Sequence, residues 1–95
     1  MSALAAEKLA VVKNRLGIHA RPATLLVQAA AKFTADIFLS KGDTRRINGK
    51  SIMGVMMLAA EHGSEVLVEA EGEDAVEAVE SLAAVLESSF EEGSG

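Results

Sequence analysis

Apolar residues recur along this chain with two different periods, and the points where the period changes mark out the elements. Leu9 to Lys13 alternates, with Ala10 and Val12 on one side and Val11 on the other, which predicts a first strand. Asn14 to Ile18 breaks that alternation and carries Gly17 as a turn signal. A helical spacing follows from about Ala20 to Phe33. Ala23, Leu26, Val27 and Ala30 fall on one face, and Arg21, Thr24, Gln28 and Lys32 form a narrow polar stripe opposite. Ala35 to Ser40 and Thr44 to Asn48 read as short strands joined through Lys41-Gly42-Asp43, and so tight a connection makes the pair antiparallel. Ser51 to Ala60 is a short apolar helix. Beyond Gly63, Val66, Val68 and Ala70 share one face of a strand from Glu65 to Ala70. The last helix starts near Glu73-Asp74, with Val76, Val79, Leu82 or Ala83, Leu86 and Phe90 on its inner side and Glu77, Glu80, Glu87 and Glu91 mostly elsewhere. The order β-α-β-β-α-β-α predicts an α+β fold in two layers, one sheet covered on a single face by helices, an open-faced sandwich.

Ninety-five residues, 49% of them hydrophobic, suffice for one domain over residues 1–95 with an ordered core of about 7–91 and frayed ends. Cysteine is absent, which excludes disulfides and thiolate metal sites, and with Trp and Tyr also missing the core is aliphatic. No basic segment leads into an apolar run and no apolar stretch is long enough for a bilayer, so a cytoplasmic protein without membrane insertion is expected. The net charge of −5 is the balance of +6 before Ser51, where all nine Lys and Arg lie, and −11 after it. A basic first half suits phosphate or an acidic partner. The acidic second half, with only three Phe to stack bases, argues against direct nucleic-acid binding. Two His, no paired carboxylates and no glycine-rich phosphate loop argue against a hydrolytic enzyme, a metal centre or a cofactor.

The chemistry concentrates in Gly17-Ile18-His19-Ala20-Arg21-Pro22-Ala23-Thr24. Pro22 lacks an N–H and presets φ, which fits the first turn of a helix, so His19 precedes a helix N-terminus. Unpaired amides and the positive end of the helix dipole favour an anion there and keep the imidazole neutral and nucleophilic. Arg21 adds a fixed charge and a donor fork shaped for phosphate oxygens. A phosphoryl group that is taken up and given back at this position needs an exposed His19, because the P–N bond must be both held and released. His62, beside Gly63, reads as an ordinary residue at a helix end.

Ser51 sits where a hydroxyl caps the short helix, and a phosphate on the same oxygen would also lie at a positive helix end. In the segment Ile52-Met53-Gly54-Val55-Met56-Met57-Leu58, inward packing of Val55, Leu58 and Ala59 leaves Ile52, Met53 and Met56 outside. Apolar runs are usually buried, whereas Gly54 costs about 1 kcal/mol relative to Ala within a helix and asks for a close approach by another backbone or a partner.

Both stretches resemble signatures of the HPr family, the histidine-containing phosphocarriers of the bacterial phosphoenolpyruvate-dependent phosphotransferase system. Gly17-Ile18-His19-Ala20-Arg21-Pro22-Ala23 is similar to its phosphorylation-site signature, and Lys50-Ser51-Ile52-Met53-Gly54-Val55-Met56 to its regulatory serine signature. The resemblance implies that His19 takes a phosphoryl group on Nδ1 from enzyme I and passes it to the IIA domains of sugar permeases, with Arg21 steadying it. It also implies docking through Pro22, Thr24, Ile52, Met53 and Met56. Ser51 would be phosphorylated by an HPr kinase/phosphorylase and would then signal in some bacteria to a catabolite-control repressor. Such a carrier is expected to be a monomer and not a self-standing catalyst. Asn14-Arg15-Leu16 and the Glu-rich last helix resemble NPr, the nitrogen-branch paralogue, whereas Lys50-Ser51-Ile52-Met53-Gly54 favours the HPr branch. A non-carrier module acting through Ser51 alone is a further alternative.

Overall fold

The seven elements appear in the predicted order: β1 (Ala5–Val11), α1 (Ala20–Ala30), β2 (Asp36–Lys41), β3 (Thr44–Asn48), α2 (Ile52–Met57), β4 (Glu65–Glu71) and α3 (Ala75–Leu86). The computed structural model describes residues 4–15, 17–18 and 20–88, so the expectations for Phe90 and Glu91 lie outside the described residues. Strands are arranged β1-β4-β2-β3, every neighbouring pair antiparallel. β4 and β2 hold the centre because Val66, Val68, Ala70, Ile37 and Leu39 turn to the helices, where all five are buried. Ala23, Leu26, Ala30, Val55, Leu58, Leu82 and Leu86 meet them from the helical layer. This is the open-faced α+β sandwich expected from the sequence.

Part of the uncovered face, around Arg46, is polar and internally paired. Arg46 adopts φ 53°, at an irregularity where the β2–β3 register shifts, and its N–H donates to the buried Ser40 Oγ at 2.8 Å. From there the guanidinium lies 4.0 Å over the Phe38 ring and pairs with Glu69 and Glu71 at 3.3 and 3.4 Å.

Boundaries move where tertiary contacts outweigh local pattern. β1 starts four residues before Leu9, because pairing with β4 runs from Ala5↔Glu71 to Val11↔Glu65 through a stretch with no apolar alternation of its own. α1 stops at Ala30, short of Phe33, as the Lys32 and Phe33 N–H groups tighten onto the carbonyls of Ala29 and Ala30. α2 ends at Met57 and not at Ala60. Ala59 turns to φ 51°, faces solvent where inward packing was expected, and gives its carbonyl to Lys41 Nζ at 3.2 Å. On α3, Val76 is 62% exposed, while Ala75 and Ala78 take the inner positions. Small residues let α3 lie close against β1 and β4, and that choice rotates the buried face away from Val76.

Candidate functional site

The loop from β1 to α1 is fixed at nearly every described residue. Val12 N–H donates to Ser64 O at 2.9 Å, and Gly63 N–H returns a bond to Val12 O at 2.8 Å. Asn14 is buried and acts twice, since its carbonyl accepts from Gly17 N–H at 3.0 Å while its Nδ2 donates to Gly17 O at 2.6 Å. Gly17 takes φ 76° and lies so close to the segment after α2 that a Cβ would stand 2.6 Å from Ala60 O and 2.9 Å from Glu61 Cα. Ile18 is buried and its N–H donates to Ala60 O at 2.8 Å. His19 itself lies outside the described residues, and α1 begins immediately after it at Ala20.

The first turn of α1 carries two further candidates in different environments. Arg21 is exposed and forms no ion pair among the described residues, whereas Pro22 is fully buried. A docking partner therefore cannot touch Pro22 directly, and its part is to fix the backbone at the helix start. Thr24, one turn on, is half-buried. Elsewhere the basic residues are largely engaged. Lys8 pairs with Glu80 at 3.5 Å, Arg46 with two glutamates, and Lys41 and Lys50 donate to the carbonyls of Ala59 and Phe33. Lys13, Arg15, Arg21, Lys32 and Arg45 are exposed without an ion pair among the described residues, and the first three of them flank position 19 in the sequence.

Ser51 caps α2 as the sequence predicts, its Oγ accepting from Gly54 N–H at 3.1 Å with extended backbone at φ −116°, ψ 121°. The glycine at 54 answers a crowding within the chain. A Cβ there would lie 2.7 Å from Ile47 Cγ2 and 3.2 Å from Asn48 O, so the close approach that the sequence demanded is made to β3. Val55 and Leu58 point inward, while Ile52 and Met56 are each 42% exposed, Met53 74% and Met57 65%. α1 and α2 pack against one another, and the Ile18–Ala60 bond ties the exit of α2 to the loop before α1. Two polypeptide stretches far apart in sequence, at Ile18 and Ala60, thus share one end of the helical layer. Asn14, Ala60 and Met57 were not singled out as site residues by the sequence reading. Only a buried side chain holding a carbonyl, which no residue-type pattern reveals, identifies Asn14.

His62 is exposed in the turn before β4. A shallow concavity lined by Ala5, Glu7, Glu69 and Glu71 lies at the opposite ends of β1 and β4 and includes none of the candidates. Among the described residues no cluster of His, Asp or Glu has the arrangement of a metal site, and no helix is long and apolar enough to cross a membrane.

This geometry can be set beside known proteins. A family model described as the phosphotransferase-system HPr component phosphorylation site matches residues 6–88, nearly all of the sheet and the three helices. The chain belongs to the HPr family. Among its relatives, the phosphocarrier protein HPr of Treponema pallidum is 51% identical over 81 residues, covering 85% of this chain and 91% of the relative. The crystal structure of HPr from Bacillus anthracis superposes with a TM-score of 0.80 at 48% identity, covering 86% of this chain and 96% of that one. The Bacillus subtilis catabolite repression protein Crh, solved as a domain-swapped dimer, has a TM-score of 0.68 at 51% identity and covers 79% and 85% of the two chains. The chain is an HPr-family phosphocarrier, of a family that works with other components of the phosphotransferase system. Kinship with Crh links the chain to proteins of carbon catabolite regulation.

Proposed function

We propose that this HPr-family domain accepts a phosphoryl group on His19 Nδ1 from phospho-enzyme I and delivers it to enzyme IIA domains of sugar permeases. The observation that carries the reading is the complete His19-Ala20-Arg21-Pro22 run in the sequence, with α1 starting at Ala20 and the preceding loop held where the Ile18 N–H bonds Ala60 O and Gly17 packs against Ala60. The neutral imidazole attacks phosphorus in line and the leaving group departs opposite, so the P–N bond forms as the bond to the donor breaks. Amides of the first turn of α1 and the Arg21 guanidinium offset the charge on the equatorial oxygens. The catalytic work is shared with the partner, which makes the domain a covalent carrier and not a self-standing enzyme, with no cofactor.

Docking in this reading uses Thr24, Ile52, Met53 and Met56, with Pro22 shaping the surface from beneath. Ser51 is the regulatory phosphorylation site for an HPr kinase/phosphorylase, and a phosphate there adds close to two negative charges beside the apolar patch. The phosphorylated form would signal to a catabolite-control repressor where the host has one. The protein acts in the cytoplasm as a monomer, without direct contact to nucleic acid. Asn14-Arg15-Leu16 supports a second reading, a carrier for the nitrogen branch. The test is to offer the purified chain phosphoenolpyruvate with enzyme I of each branch. Efficient labelling by the sugar-branch enzyme supports the first reading, labelling by the nitrogen-branch enzyme alone supports the second, and labelling by neither leaves a module acting through Ser51.

A further inference from the structure

Methionine is distributed unevenly in this molecule. The chain holds four, and it has no Cys, Trp or Tyr. Apart from Met1, all of them stand on the six-residue helix α2, and each is exposed: Met53 by 74%, Met56 by 42% and Met57 by 65%. None belongs to the core, which is built from Ala, Val, Leu and Ile. The thioethers are therefore the principal side chains that a mild oxidant can modify, and they are concentrated on one accessible surface.

We propose that α2 is a methionine-oxidation site at which a peroxide reversibly switches off docking of the carrier. The sulfur lone pair attacks the terminal peroxide oxygen, an S–O bond forms as the O–O bond breaks, and the thioether becomes a sulfoxide while hydrogen peroxide is reduced to water. The inference rests on the reading of Met53 and Met56 as docking residues, and it adds Met57. A sulfoxide replaces a soft apolar contact with a strong acceptor, which a partner's apolar surface leaves unpaired. The fold is insulated from the change, because Val55 and Leu58 anchor α2 from its inner side and Ser51 caps it.

The full chain is treated with hydrogen peroxide, and the peptide spanning Met53 to Met57 is sequenced by tandem mass spectrometry. Thermal unfolding is compared before and after. The initial rate of enzyme I-dependent phosphorylation is measured at carrier concentrations below KM, and again after incubation with methionine sulfoxide reductases and a thiol. The expected result is sulfoxide at the three positions, a native-like melt, a rate lowered roughly tenfold, and recovery after reduction. A triple variant M53L/M56L/M57L, which keeps Met1, should show a treated-to-untreated ratio near one whatever its own starting rate. Sulfoxide formation with an unchanged rate, a loss that reduction does not reverse, or an equal loss in the triple variant overturns the proposal. Untreated protein that accepts no phosphate from enzyme I overturns instead the carrier reading beneath it.

Discussion

At the scale of single residues, the phosphorylation loop is held by small groups in demanding positions. Gly17 combines φ 76° with backbone atoms inside normal Cβ contact distance, so Gly17→Ala strains the backbone and pushes the loop off Ala60 and Glu61. A loss of about 2–4 kcal/mol is expected in denaturant unfolding, together with slower phosphate acceptance. Asn14→Ala leaves Gly17 O without its buried donor and should cost about 1–3 kcal/mol by the same measurement. Arg21 is exposed, and Arg21→Ala should leave the melt unchanged while lowering the phosphorylation rate at least roughly tenfold. An unchanged rate would remove Arg21 from the phosphate site. Gly17 and Arg21 were legible in the sequence because their residue types are tied to a conformation and a charge. Asn14 was not, since its importance comes from burial beside a carbonyl three residues away.

Elements are joined by side chains that leave their own helix. Asp74 stands at the N-cap of α3 yet makes no side-chain cap bond. Its carboxylate accepts instead from the Thr34 and Ala35 amides, each at 2.9 Å, and binds the start of α3 to the connection between α1 and β2. The Thr34 amide foremost, with Ala35 beside it, holds the Asp74 pKa below its ordinary 3.8. A carboxyl whose pKa is lowered by folding stabilises the native state above its unfolded pKa and loses that contribution as pH falls through the folded value. Asp74→Asn should therefore melt below the parent at neutral pH, and the gap should narrow progressively under pH 3.8. A gap independent of pH would contradict the role assigned to the carboxylate. For α2, Ser51→Ala removes the cap and should cost about 1 kcal/mol. Ser51→Asp keeps a capping oxygen, so its melt should stay near the parent while its affinity for enzyme I, read by titration calorimetry, falls several-fold. The extent of α2 was overestimated from sequence because Leu58 and Ala60 are buried like helical residues, although the chain has already turned at Ala59.

For the molecule as a whole, layer order and the buried faces of the strands followed from periodicity, because Ala10, Val12, Val66, Val68 and Ala70 alternate as a half-buried sheet requires. The first residues of β1 and the inner face of α3 did not follow, since a partner strand and the closeness of helix to sheet decide them. The segregation of charge along the chain is bridged in space at two points, where Lys8 and Arg46 of the basic half meet Glu80, Glu69 and Glu71 of the acidic half. What survives unpaired among the described residues includes Lys13, Arg15 and Arg21, the cations nearest in sequence to position 19. The central claim is thus that one imidazole is the way-station for phosphate. It is tested most directly by incubating the chain with phosphoenolpyruvate and enzyme I and locating the phosphoryl group by phosphorus NMR and peptide sequencing. The expected result is a single acid-labile phosphoramidate on His19 Nδ1, absent from a folded His19→Ala variant. Phosphate found on another residue, or acceptance at the parent rate by that variant, would contradict it.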